Sequence, residues 1–341
     1  MCIVNFYHIG MIFSHEFCEF KNYSYLCIVL EVPCPDGGIG RRAGLKHQWG
    51  NPSRFDPESG YLISQVLLLR HAWLFYYTIS LDYSMSYICY PNAKINLGLF
   101  VTSRRPDGYH NLLSVFYPVE SLHDELVIER DEANSGYSFE QKGIVVDAPP
   151  ADNLVVRAYE LMRKEYGIGG VRISLTKCIP FGAGLGGGSA DAAFVVKSLN
   201  ELFSLGLADA QLASLVVRLG ADCPFFVYNK PMLAEGIGDV LSPVNLDLSG
   251  YRIEVVKPDV SVSTAEAYRG ITPMPAPCDP KWVVENEPVE RWREYLRNDF
   301  EDVVFRLFPQ VGELKQDMYA RGAVYASMSG SGSAVYGIFR K

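Results

Sequence analysis

Cysteine occurs in this chain without any useful spacing. Its eight cysteines form no C-x-x-C pair, and Cys2, Cys18, Cys27 and Cys34 are irregularly spaced, so the pattern carries neither a zinc site nor a disulfide framework. Cys178 and Cys223 lie inside apolar runs, where a free thiol serves as a small core side chain. A reducing cytoplasm is the simplest compartment for such a sequence. Positive charge is also in short supply. The formal net charge is −8, which argues against nucleic-acid binding by phosphate neutralisation but leaves room for a local basic pocket. An uninterrupted apolar run of membrane length is missing: Tyr61–Leu81 comes nearest, but Arg70 and His71 stand at its centre, where charge is costly in lipid. The extreme N-terminus lacks the basic stretch that opens a signal peptide. No internal repeat is visible. What remains is the composition of a soluble globular protein, 48% hydrophobic and 21% charged over 341 residues, enough for one large or two medium domains.

The text of the sequence changes at Met85. Residues 1–84 show no sustained period of 2 or 3.6, and Val32–Gly60 reads as loop throughout. We expect residues 1–84 to be a non-native or disordered upstream extension, with the working protein starting at Met85. From there, two strand pieces broken at Pro91 precede the turn Pro106-Asp107-Gly108. Strands are expected over 112–122, 124–131 and 170–179. Helices are expected over 153–167, 189–204 and 209–220, and much of 288–322 also reads as helix. "ADCPFFVYN" and "PMLAEGIGDVLSPV" read as short strands and turns, and residues 323–339 as a hairpin around a Ser-Gly-rich turn. Strands and helices mix without strict βαβ alternation, so the fold class is α+β. A boundary near 247/248 would divide residues 85–247 from 248–341, leaving a cleft between two lobes.

The sharpest local signal is "IPFGAGLGGGSADAAF", Ile179–Phe194, with five glycines in the seven positions Gly182–Gly188. Glycine is costly to order, so this density implies that something approaches bare backbone there. The run joins a strand to a helix, and a helix N-terminus offers free N–H groups and positive partial charge to phosphate. A P-loop is excluded because no lysine follows the glycines. Gly182, Gly184 and Gly187 satisfy G-x-G-x-x-G, but the acidic residue of a dinucleotide fold is misplaced: Glu201 lies inside the helix pattern. The protein-kinase loop fails for want of a lysine strand and an H-R-D loop.

A fourth grammar fits. "PFGAGLGGGSADAA" resembles the phosphate loop of the GHMP kinases, which are ATP-dependent kinases of small molecules. Two flanking blocks of that family are also present in order: "PNAKINLGL" (Pro91–Leu99) before it and "MSGSGSAVYGIF" (Met328–Phe339) after it. With "RRPDGYHNL", "LGADCPFFV" and "AEGIGD", the likeness covers Met85–Lys341. It extends to the branch of the family that phosphorylates a cytidine diphosphate conjugate of methylerythritol, on the non-mevalonate route to isoprenoids.

The resemblance implies a two-lobed fold, with a ribosomal-protein-like N-terminal lobe and an α/β sandwich C-terminal lobe. It also implies site residues. Lys94 and Asp222 match the catalytic pair: Asp222 would take the proton of the acceptor alcohol, and Lys94 would stabilise the developing charge. Pro180, Phe181, Gly182, Ala183, Gly184, Leu185, Gly186, Gly187, Gly188, Ser189 and Ala190 match the ATP loop. The family commonly carries a second serine where this chain has Ala190. Asn96, Tyr109, His110, Thr264 and Tyr268 match substrate-binding positions: Asn96 at the polar tail, His110 on the cytosine edge and Tyr268 as an aromatic wall. Ala265 stands where the family often has proline. ATP and Mg²⁺ are the expected cofactors, with no metal ligand assigned. Neither nucleic acid nor membrane is expected as a partner. Other readings stay open at this point: a GHMP kinase acting on mevalonate, homoserine or a sugar, a dinucleotide-binding oxidoreductase, or a non-enzymatic module of ribosomal-protein type.

Overall fold

The computed structural model describes residues 12–20, 23–31, 86–144 and 149–341. Strands β1 (Ile12–Phe20) and β2 (Tyr23–Glu31) pair antiparallel, in a stretch where the sequence shows no sustained alternation. The rest of the expectation for residues 1–84 falls outside the described residues, including Cys2, Cys34 and the Tyr61–Leu81 run.

From Ser86 the chain builds one compact unit. Pro91 separates β3 (Ser86–Cys89) from β4 (Asn92–Arg104), since proline cannot supply a ladder N–H. The turn at Gly108 (φ +88°) returns β4 into β5 (His110–His123), and β6 (Glu125–Arg130) follows. Strand β7 (Tyr137–Gly143) was not legible in the sequence. It alternates half-buried with exposed residues and pairs in parallel with β8 (Val171–Lys177). Helix α1 (Leu154–Tyr166) is capped by the Asn153 side chain and stopped by Gly167 in the left-handed region, as expected. Helix α2 (Gly187–Leu202) takes the last two glycines of the run as its first residues, and α3 (Asp209–Val216) comes next. The stretch around Asp222 corrects the sequence expectation. Cys223–Tyr228 is a helix, α4, and not a strand. Its aromatic content suggests β structure, but Pro224 in the first turn supplies a φ suited to helix initiation.

Strands β9 (Met232–Glu235) and β10 (Val240–Pro243) complete a four-stranded sheet of order β10-β9-β5-β4. A second four-stranded sheet runs β3-β6-β8-β7 and packs under α1 to α4 around Ile128, Ile173, Val195 and Phe225. The C-terminal part contributes β11 (Tyr251–Val256), β12 (Tyr325–Met328) and β13 (Val335–Arg340), in the order β11-β13-β12. It also contributes helices α5 (Thr264–Arg269), α6 (Pro280–Asn286), α7 (Glu301–Leu307) and α8 (Pro309–Ala320). Pro309 at the start of α8 divides the long helical stretch read from the sequence.

The segments on either side of residue 247 share a core. Ile95, Leu97 and Val115 from β4 and β5 cluster with Trp292, Tyr336 and Ile338. Strand β4 therefore has cover on both faces. Asn92, Lys94 and Asn96 lie on one face by the period of two, and all three are buried. An alternating strand ordinarily turns such residues to water. Here they are turned inward, and that creates the site.

Candidate active site

Lys94 is 3% exposed. Its ammonium lies 3.4 Å from Asp222 Oδ2 and donates to Asn96 Oδ1 at 2.9 Å. The Phe116 ring sits beneath it, 4.5 Å from Nζ to the ring centroid. Asp222 occupies the N-cap position of α4 but makes no capping bond, so its carboxylate is free to face the lysine, and it stays about a third exposed. The "AEGIGD" turn comes up on the other side: a Cβ on Gly238 would stand 3.3 Å from Asp222 Oδ1. The pair is thus a buried cation beside a carboxylate that can still meet a ligand.

The glycine run lies against this pair. Lys94 N–H donates to Leu185 O at 2.9 Å, and Ala334 N–H donates to Ala183 O at 3.2 Å. The Ser329 hydroxyl donates to Gly184 O at 2.9 Å. The run is therefore gripped between the edge of β4 and the β12–β13 turn. This changes the reason for the glycines. A Cβ on Gly184 would lie 2.0 Å from Ser329 O, and one on Gly186 would lie 2.8 Å from Phe226. One on Gly187 would lie 2.9 Å from Ile179 and 3.0 Å from Lys177 Nζ. At these three positions the close neighbour is the protein itself. Gly182 has nothing within 4 Å, and Gly188 only Leu154 at 3.5 Å, so these two leave backbone open to a ligand. The side chains of Ala183, Leu185 and Ala190 are buried in the core, so only their backbone could meet a nucleotide, whereas Phe181 is exposed. No side chain caps α2 and no acid stands in its first turn, which leaves its N-terminus suited to phosphate. Burial pushes the Cys223 thiol up to about 12, against a smaller downward pull from the neighbouring Ser189 hydroxyl.

Beneath this turn lies a charged cluster that sequence reasoning missed. Lys177 Nζ donates to Asp191 Oδ2 at 2.8 Å and to Asp124 Oδ2. Asp124 Oδ1 also accepts from the Cys178 and Ile179 N–H groups. The signal was available: Val171, Ile173, Leu175 and Lys177 share the inward register of β8. Two carboxylates share one ammonium, and Asp191 Oδ1 has no partner. Burial, with Asp124 adding to it against the pull of Lys177, raises the Asp191 carboxyl from 3.8 to about 7. The folded chain then holds a proton on Asp191 that the unfolded chain releases near pH 4, so stability falls as pH rises from about 4 through about 7. Asp191→Asn should therefore raise the unfolding temperature more at pH 8 than at pH 5. Thermal unfolding at the two pH values checks this, and a difference that ignores pH would contradict it.

The expected substrate residues do not all lie as the sequence suggests. Tyr268 stacks on His110, with ring centroids 4.9 Å apart and planes at 21°, and meets the edge of Phe300 at 4.8 Å. Burial, and secondarily the Asp222 carboxylate, pushes its hydroxyl up to about 12. Tyr109 is 63% exposed at the β4–β5 turn. The Thr264 hydroxyl contacts Ser331 Oγ at 3.1 Å, joining α5 to the β12–β13 turn. Asn96 is the exception. It is 1% exposed, and both lone pairs of its Oδ1 are taken, by Lys94 Nζ and by the Gly330 N–H at 2.9 Å each. It lies buried among protein partners, and the resemblance implies a substrate contact for it.

Residues 153–230 match the GHMP kinases N terminal domain and residues 283–341 the GHMP kinases C terminal domain. The 4-diphosphocytidyl-2-C-methyl-D-erythritol kinase of Bacteroides thetaiotaomicron is 53% identical over 253 residues, covering 74% of this chain and 92% of that protein.

This chain belongs to the 4-diphosphocytidyl-2-C-methyl-D-erythritol kinase family of GHMP kinases.

The Porphyromonas gingivalis member of that kinase family is 46% identical over 256 residues, with 74% of this chain and 92% of that protein covered. A solved 4-(cytidine 5'-diphospho)-2C-methyl-D-erythritol kinase superposes with a TM-score of 0.63 at 37% identity, covering 74% of this chain and 90% of that one. Homoserine kinase from Cytophaga hutchinsonii, at 19% identity and a TM-score of 0.60, shares the fold. As a GHMP kinase the chain is a small-molecule phosphotransferase, and its α+β architecture is that of the family. Among the described residues, no helix is long and apolar enough to cross a membrane.

Proposed function

We propose that this kinase transfers the γ-phosphoryl of ATP to the 2-hydroxyl of 4-diphosphocytidyl-2-C-methyl-D-erythritol. The products would be its 2-phosphate, on the non-mevalonate route to isoprenoids, and ADP. The observation that carries the reading is the Lys94–Asp222 pair at 3.4 Å, set against the glycine run in a chain 53% identical to a kinase of that name.

An alcohol is a poor nucleophile until its proton has an acceptor, and Asp222 presents an uncapped carboxylate for it. Lys94 supplies a fixed positive charge beside the alkoxide and the transferring phosphoryl, in a buried setting where such charge counts for more than in water. The open N-terminus of α2 and the backbone at Gly182 and Gly188 suit the triphosphate. Among the described residues no three His, Cys, Asp or Glu side chains could hold a metal. Magnesium would be held chiefly by phosphate oxygens and water and would neutralise the triphosphate during transfer, with the Asp222 carboxylate beside Lys94 available to meet it. Tyr268 would be the wall for the cytosine. One of its faces carries His110 and Phe300 packs against the ring edge to face, so the base would take the place of the imidazole.

Incubation of the full chain with Mg-ATP and this alcohol, with product mass and ADP read together, tests the reading. One added phosphoryl per ADP is the expected result. Turnover on homoserine or mevalonate, with none on the cytidine substrate, would replace it. Tyr268→Ala should raise the KM for the cytidine substrate by about tenfold or more and leave the KM for ATP unchanged, as expected when a stacking face is lost.

A further inference from the structure

The β12–β13 turn does more than grip the glycine run. Its Gly330 N–H and the Lys94 ammonium share a single acceptor, Asn96 Oδ1, at 2.9 Å each. Neither donor can accept a hydrogen bond, so the amide orientation of Asn96 is fixed by its partners. Asn96 Nδ2 donates to Ser114 Oγ at 2.9 Å, and that hydroxyl donates onward to Gly98 O at 2.6 Å. The Asn96 carbonyl accepts from the Tyr336 hydroxyl at 2.6 Å. From the far side, Asn298, which is 3% exposed, donates to both Met328 O and Gly330 O at 2.8 Å each. Its Oδ1 accepts from the Phe300 N–H at 3.0 Å. Gly330 is therefore held on both sides, its N–H by Asn96 and its carbonyl by Asn298.

We propose that Asn96 and Asn298 are positioning residues that transmit the geometry of the C-terminal glycine-rich turn to the Lys94 ammonium. The inference rests on the reading of Lys94 and Asp222 as the reacting pair. A lysine ammonium on a four-carbon stem has wide rotamer freedom. Here one N–H is committed to Asn96 and another faces Asp222, leaving the third for the reaction. Without the shared acceptor the charge can still pair with Asp222, but its position is no longer set. A misplacement of about 1 Å is enough to cost about a hundredfold in rate. The hairpin thus reaches the chemistry from across the fold through two buried amides, both on elements distant from it in sequence.

The test uses the full chain with Asn96→Leu, Asn298→Ala, the double variant and Lys94→Met. Steady-state kinetics for both substrates are measured beside thermal unfolding. Each asparagine variant should lower kcat about 10–100-fold while holding both KM values within about threefold. The double variant should be no slower than Asn96→Leu alone, because the two residues act through one link. A raised KM for the alcohol with kcat preserved in Asn96→Leu would make Asn96 a substrate contact and overturn the proposal. Losses that multiply in the double variant would do the same. If Asn96→Leu fails to fold, Asn298→Ala decides alone: a fall in kcat at unchanged KM supports the link, and an unchanged kcat defeats it. An inactive Lys94→Met beside fully active asparagine variants removes the link and keeps the reacting pair. A fully active Lys94→Met removes both.

Discussion

Asp222→Asn should lower kcat by about 10²–10⁴-fold with little effect on either KM, which is the usual worth of a positioned general base. The substitution is nearly isosteric. Asp222 makes no capping bond to α4 and is about a third exposed, so the fold does not depend on its charge. Lys94 keeps its bond to Asn96 and its place over Phe116 in the variant. The cation that would stabilise the transferring phosphoryl therefore stays, and only the proton acceptor is lost. Steady-state kinetics together with an unfolding curve separate this from a folding defect. A variant retaining kcat within about threefold would mean that the alcohol loses its proton elsewhere.

Gly184→Ala should be the most damaging single methyl in the glycine run. Gly184 has φ +75°, and a Cβ there would lie 2.0 Å from Ser329 O and 2.8 Å from its carbonyl carbon. Both obstacles are backbone, so no side chain can swing aside. The hairpin must move off the run, taking with it the bonds from Ser329 to Gly184 and from Ala334 to Ala183. Left-handed strain of about 1–2 kcal/mol and overpacking of about 1–3 kcal/mol together predict a fall in unfolding temperature of roughly 5–15 °C. Gly182→Ala is the control. Its φ is +63° but nothing lies within 4 Å, so it should show the strain alone. Equal falls in the two variants would show that the contact with Ser329 is not what requires glycine at 184.

The two outcomes bear on how the site reads from sequence. The glycine run, the Lys94 strand and the Ser-Gly-rich hairpin were each visible as local text, because turn chemistry and periodicity are properties of short segments. The reason for the glycines was not visible. Bare backbone read in isolation suggests a ligand, whereas at Gly184, Gly186 and Gly187 the neighbours are Ser329, Phe226, Ile179 and Lys177. These lie on other elements, and no local pattern reports them. The same holds for α4, where aromatic residues outweighed the helix-starting Pro224 in the sequence reading.

By itself, the sequence determined most of the elements from Met85 onward, β7 and α4 excepted, the strand–glycine–helix context of the phosphate loop, and the residue types Lys94 and Asp222 that acid–base and charge chemistry would need. Those follow from periodicity, turn residues and side-chain chemistry, which act over a few positions. Tertiary structure alone decided that the polar face of β4 is buried. It also brought Lys94 to within 3.4 Å of Asp222 across 128 positions of chain, set Asn96 Oδ1 between Lys94 Nζ and the Gly330 N–H, and left Asp191 Oδ1 without a partner. Burial and through-space distance depend on what the rest of the chain packs against a segment, and a segment does not carry that information itself.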